Sequence, residues 1–235
     1  MKHVIKGAPP AEFEAWKSQA NDHWKPTYDD LQNPEKRNLH KALLHEQGSV
    51  CCYCGRSISL EDSHIEHFKP QERYGMLQLE YSNLHASCLR GQQRTTPRHC
   101  GHAKGNGFDE TRYIAPVDPD CEQRFMYTLR GAIIPTHSAD ARAQYMIDLL
   151  ALDGTALRNL RDEVLNRAMD PEFLASATTE ELTRLRDNFR RRDAAGNHLN
   201  FGHVLARYAE QALAEPLADA NNDDVAVQPC ASGQD

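Results

Sequence analysis

Cys51-Cys52-Tyr53-Cys54-Gly55 opens the stretch that decides the fold, and Cys88 and Cys100 close it. Cys51 and Cys54 form a C-x-x-C knuckle. Cys88 and Cys100 supply two more thiolates, which makes four ligands for one tetrahedral zinc ion. Eleven residues separate the second pair, so His99 or His102 can stand in for Cys100 as the fourth ligand. Zinc binding contributes on the order of 10–16 kcal/mol in zinc-finger peptides, enough to hold a segment with a small apolar core. Thioredoxin-like redox chemistry fits poorly, because this knuckle does not lie between a strand and a long helix. Unrelated buried thiols are the bland alternative.

The stretch encloses His64-Ile65-Glu66-His67-Phe68-Lys69-Pro70 and Asn83, and His102 follows it just before Lys104-Gly105. Seven of the twelve histidines fall between residues 37 and 105. Phosphodiester hydrolysis needs a base to activate water, a divalent cation to stabilise developing charge, and groups that orient both. Carboxylate and imidazole ligands suit Mg²⁺ or Mn²⁺, keeping the hydrolytic ion apart from a thiolate-held, structural Zn²⁺. His64-x-Glu66 also raises a zinc deaminase, but that pattern needs its C-x-x-C downstream and here it lies upstream.

Taken together, Cys51 to Gly55, His64 to Pro70, Tyr81-Ser82-Asn83-Leu84, Ser87-Cys88 and His99-Cys100-Gly101-His102-Ala103-Lys104-Gly105 resemble the HNH nucleases. More narrowly, they resemble the PtuB-type HNH effectors of the Septu and retron anti-phage systems. The resemblance covers about residues 35–165, with its distinctive motifs within 51–105. It implies an α+β fold: a zinc-stapled ββα-metal (HNH, His-Me finger) core with helical flanks. It also implies roles. His67 stands where the base histidine deprotonates water, Glu66 and His102 where the catalytic divalent ion is ligated, and Asn83 where an amide orients the base or its loop. Lys104 stands where a phosphate is contacted. His64, two residues before Glu66 on one strand face, competes with His67 as base or binds metal, and the Glu-His-x-x-Pro spacing favours His67. Bland readings stand beside these: His64 as a structural hydrogen-bonder, Asn83 as a helix cap, His102 as a zinc ligand. The resemblance further implies a PtuA-type ATPase partner and a role in antiviral defence.

Charge speaks less directly. The chain carries −7, but residues 216–235 hold four aspartates and no Lys or Arg, which leaves −3 for the rest. Residues 37–105 carry +3, and Arg90, Arg94, Arg98 and Lys104 follow Cys88 with no acid among them. That basic loop can track phosphates, so nucleic acid is the expected partner, DNA ahead of RNA; a solvated surface loop is the alternative. No apolar run approaches the roughly 20 residues of a membrane span. Seven cysteines, clustered as knuckles without a signal-like start, point to a reducing cytoplasm.

The sequence divides into an N-terminal helical segment (1–48), the nuclease core (49–110), a β-hairpin and helical region (111–215) and a disordered acidic tail (216–235) that includes a spare thiol, Cys230. Pro26 and Pro34 break the first segment, and Pro34-Glu35-Lys36 starts a helix that Gly48 ends. Arg56 to Leu60 and His64 to Phe68 read as strands, and Tyr81 to Cys88 as a short helical piece. Arg124–Leu129 and Ala132–Pro135 flank Arg130-Gly131 as a hairpin. Helices are expected from Ser138 to Leu152, from Thr155 to Ala168, from the Thr178/Glu181 capping box to Arg192, and from Phe201 to Ala214. An enzyme of HNH type is the leading expectation. A non-catalytic zinc module that binds nucleic acid or protein is the alternative.

Overall fold

Leu39, Leu43 and Leu44 recur at helical spacing and are buried, which drives helix α2 (Glu35–Gln47) against the middle of the molecule. It follows a short helix α1 (Ala11–Lys17), which buries Phe13. Pro34 precedes α2, and Gly48, at φ 65°, ends it in the left-handed conformation. At its last turn Gln47 is buried and acts as a strand partner. Its amide donates to Val50 O (2.8 Å) and Ala86 O (2.9 Å), and its carbonyl accepts from Ala86 N (2.7 Å). The computed structural model describes residues 1–91 and 97–214.

Ala86 belongs to the central strand pair, β1 (Ser63–His67) and β2 (Leu84–Cys88), antiparallel with His67 opposite Leu84 and Ser63 opposite Cys88. A four-residue helix α3 (Gly101–Lys104) follows, which completes a ββα unit. Two expectations need correction. Arg56 to Leu60 is not a strand; a single bridge joins Ser57 to Val50. Tyr81 to Cys88 is not helical. A 3-10 turn at Tyr81–Asn83 leads into β2, whose five residues are all buried. A strand covered on both faces shows no alternation, and a short apolar run of that kind resembles a buried helix.

Beyond Gly107 a second antiparallel pair, β3 (Phe125–Tyr127) and β4 (Ile133–Pro135), forms the expected hairpin. Helices α4 (Ala141–Leu149), α5 (Thr155–Ala168), α6 (Pro171–Ser176), α7 (Thr179–Arg190) and α8 (Gly202–Ala214) follow. Asp140 caps α4 and the Thr178/Glu181 box caps α7. The sequence reading missed α6, although Asp170-Pro171 offers both a cap and a first-turn proline. The helical region is bonded to the cysteine knuckle: Phe201 N donates to Gly55 O (2.9 Å), His198 N to Gly48 O (2.8 Å) and Ser57 N to Asn200 Oδ1 (2.9 Å). The chain is thus α+β, with two small sheets among helices. The expected tail 216–235 lies outside the described residues.

Candidate metal centres and active site

The backbone folds each cysteine inward at a separate turn. Gly55, at φ 75°, lets its N–H reach back to Cys51 O (2.9 Å), which closes the knuckle. Cys88 ends β2, and Cys100 precedes α3 with φ 55°. All four thiols are buried, and their sulfurs lie within 4.8 Å of one another. Cys54 and Cys88 Sγ are 3.8 Å apart, and a tetrahedron with zinc–sulfur bonds of about 2.3 Å has edges of about 3.8 Å. The donor set therefore fits zinc. His99 borders the cluster, its Nδ1 3.2 Å from Cys100 Sγ and 3.6 Å from Cys88 Sγ, while the four sulfurs by themselves make up a tetrahedral set. Burial acts to raise the Cys51 thiol, but hydrogen bonds from Cys100, Cys52, Cys54 and Cys88 outweigh it and hold it well below the ordinary value. An ion in this cage would tie the knuckle, the end of β2 and the start of α3 together.

Along β1 alternate side chains face opposite ways. On one face the Glu66 carboxylate is buried. Its Oε1 meets Lys104 Nζ at 2.7 Å and the Tyr53 hydroxyl at 3.2 Å, and its Oε2 lies 3.3 Å from His64 Nε2. His64 Nδ1 donates to Leu89 O (2.7 Å), and His102 Nε2 donates to the same carbonyl (2.6 Å), with the two rings 4.7 Å apart. Leu89 turns its carbonyl there by adopting φ 69°. Burial would raise the Glu66 carboxyl, yet hydrogen bonding from His64 and the Lys104 charge keep it below its usual value. Burial would lower His64, and Glu66 raises it instead.

Gly101 lies directly beneath this pair. A Cβ there would collide with Glu66 Oε2 and His64 Nε2, so the absence of a side chain makes the space. Adjacent ligands of an octahedral ion with bonds of about 2.1 Å lie about 3 Å apart, close to the separation of His64 Nε2 and Glu66 Oε2. Among the described residues, the four cysteines are the one group of three or more convergent metal-type side chains. The His64–Glu66 site thus offers two protein ligands, as Mg²⁺ accepts when water and phosphate complete its shell. His102, expected beside Glu66 as a ligand, donates from Nε2 to Leu89 O, and the imidazole that lies against Glu66 is that of His64.

His67 takes the other face. Its Nε2 donates to Gln78 O (3.0 Å), which leaves Nδ1 as the acceptor, here bonded by Gln71 Nε2 at 3.0 Å. The edge of Tyr28 packs at 4.5 Å. Burial lowers the His67 pKa, so the ring is neutral near pH 7. Asn83 clamps the segment that follows: Oδ1 accepts from Lys69 N (2.7 Å), and Nδ2 donates to Lys69 O and Leu77 O (both 3.1 Å).

Lys104 departs from expectation. It is 4% exposed, and Nζ also donates to His67 O at 2.8 Å. A buried carboxylate needs a counter-charge, and Lys104 supplies it to Glu66 instead of reaching a phosphate. Arg90 and Arg98 are exposed, and Arg94 lies outside the described residues. Sequence reasoning missed Tyr53, Gly101 and Leu89. Only Gly101, wedged between Cys100 and His102, carried a visible signal.

No family model matches the chain. Among curated proteins, the chain is 27% identical over 161 residues to a candidate HNH endonuclease of retron Vc95 from Vibrio cholerae serotype O1 biovar El Tor, covering 66% of this chain and 75% of that protein. With the ββα unit around Glu66, that likeness supports kinship with the HNH endonucleases.

Proposed function

We propose that this chain is a metal-dependent HNH endonuclease that hydrolyses phosphodiester bonds of nucleic acid, DNA ahead of RNA. The observation that carries the reading is the His64 Nε2–Glu66 Oε2 pair, 3.3 Å apart over a glycine. His64 and Glu66 would hold Mg²⁺ or Mn²⁺, which when bound supplies Lewis-acid stabilisation of the phosphate and leaving oxygen. His67 takes the proton of the attacking water at Nδ1, with its tautomer fixed by Gln78 O. Asn83 holds the loop that carries this histidine. Lys104 balances Glu66 and fixes its free oxygen toward His64, and His102 braces the Leu89 carbonyl that orients His64.

A second reading, a zinc-stapled binding module, is favoured by one contact: Gln71 caps the nitrogen of His67 that catalysis needs. Cleavage of plasmid and oligonucleotide DNA, with and without Mg²⁺ or Mn²⁺, separates the two. The nuclease reading expects metal-dependent products that Glu66→Gln abolishes while binding persists. Binding without cleavage in every metal, alone and with co-purified partners, supports the module.

The retron named for the Vibrio relative and the resemblance to PtuB-type effectors support a place in anti-phage defence beside a PtuA-type ATPase. Helices α4 to α8 exceed what a ββα unit requires and give such a partner a surface to dock on. A cytoplasmic setting belongs to the same proposal. Among the described residues no helix is long and apolar enough to cross a membrane.

A further inference from the structure

Three cations without an ion-pair partner among the described residues converge beside His64. An open cleft of about 380 Å³ runs between α2 and β1, lined by Lys36, Arg37, His40, Arg90, Tyr28 and His64 among others. Lys36 Nζ lies over the Tyr28 ring at 4.4 Å, and Arg90 Nη1 reaches Leu60 O at 3.4 Å. His40 is turned to Ser63 Oγ (2.9 Å). The cleft also holds one carboxylate, Glu61, against three full positive charges. His64 keeps 23% of its side chain exposed and lines this cleft, with Glu66 buried behind it.

A second cleft, of about 340 Å³, gives the contrast. It is lined by Lys2, Arg190 and Arg192, and each of these is already satisfied. Lys2 meets Glu122 at 3.1 Å and Arg190 meets Glu210 at 2.7 Å. Arg192 donates to His45 O and Glu46 O. Cations with partners need no anion from outside. The three around His64 have no carboxylate partner among the described residues, and an anion entering there gains charge-assisted contacts without breaking an ion pair.

We propose that this cleft is the seat of the substrate's sugar-phosphate backbone, with Lys36, Arg37 and Arg90 gripping phosphates on the approach to His64 and Glu66. The inference rests on the nuclease reading and adds α2, which no sequence motif marked, to the substrate surface. Helix α2 suits the task. The Gln47 clamp fixes it to β2, the antiparallel partner of the strand that carries His64 and Glu66, so its cations are held in place relative to that pair. The grip is to backbone and is independent of base sequence.

The test uses the full chain without divalent metal, and fluorescence anisotropy with single-stranded DNA, duplex DNA and single-stranded RNA across a salt series. Replacing Lys36→Gln, Arg37→Gln and Arg90→Gln together should weaken binding at least tenfold at low salt. The slope of log K against log salt should flatten by about 0.9 per lost phosphate contact on duplex, or about 0.7 on a single strand, which also tells the two forms apart. Arg37→Gln alone, at an exposed position, should flatten it by one contact. Arg190→Gln with Arg192→Gln, in the other cleft, should leave affinity and slope unchanged. A triple variant that binds with wild-type affinity and slope overturns the proposal. A wild-type chain that binds with the expected slope but cleaves nothing in any metal would retire the nuclease reading and leave the cleft standing as a binding surface.

Discussion

Lys104 Nζ lies 2.7 Å from Glu66 Oε1, with 2% and 8% of the two side chains exposed. A pair this withdrawn from water is structural first: removing the lysine strands a buried carboxylate. Lys104→Ala should destabilise the fold by about 3–5 kcal/mol, measured by urea unfolding. The salt dependence of nucleic-acid binding should not change, because the ammonium does not reach the surface.

At Gly101 the backbone of α3 passes so close to the Glu66–His64 pair that a Cβ would collide with both. Gly101→Ala forces the carboxylate or the imidazole aside, and Lys104 and Tyr53 leave the carboxylate little freedom to move. The variant should fold and retain its zinc, yet lose cleavage by about 10²-fold, the scale of a 1 Å misplacement. Wild-type cleavage by Gly101→Ala, assayed beside its zinc content, would show that the pair has no catalytic geometry to protect.

The four buried cysteines should hold one zinc per chain. Elemental analysis should find it, and Cys54→Ser should unfold the 49–110 unit as well as silence it, since the apparent binding free energy of such sites is on the order of 10–16 kcal/mol. Folded, zinc-free protein would count against the assignment.

Glu122 sets an acid limit. Burial acts to raise its carboxyl, but the His203 and Lys2 side chains and the His3 amide outweigh it and bring the pKa to about 2 from 4.5. A depressed carboxylate contributes stability above its unfolded value and loses it as pH falls through the folded one. The wild type should therefore lose about 3 kcal/mol between pH 4.5 and 2 through this group. Glu122→Gln should be weaker at pH 7 and show a flatter decline, followed by urea unfolding across that range.

What was legible in the sequence followed from local chemistry. The knuckle of Cys51 and Cys54, the Thr178/Glu181 box, the Gly48 stop and the hairpin turn at Gly131 each announce themselves within a few residues. The sheet partner of β1 did not, because β2 is buried on both faces. Lys104 was misread because a lysine near a histidine gives no sign of whether it faces a phosphate or a buried carboxylate; only the placement of Glu66 decides. The exchange between His64 and His102 beside Glu66 was hidden for a similar reason. It depends on Leu89, whose left-handed backbone turns one carbonyl toward both rings. Lys36 and Arg37 lie far from the motifs in sequence, and packing alone brings them to His64.

In the proposed mechanism His64 and Glu66 hold the catalytic cation while His67 moves the proton. Cleavage rate against Mg²⁺ and Mn²⁺ concentration separates these roles in His64→Ala and His67→Ala, each with its zinc content confirmed. His64→Ala should require much more metal for half-maximal rate, with partial recovery in excess Mn²⁺. His67→Ala should run about 10²–10⁴-fold slower at every metal concentration. A His67→Ala variant at full rate, or a His64→Ala variant with unchanged metal dependence, would overturn these roles.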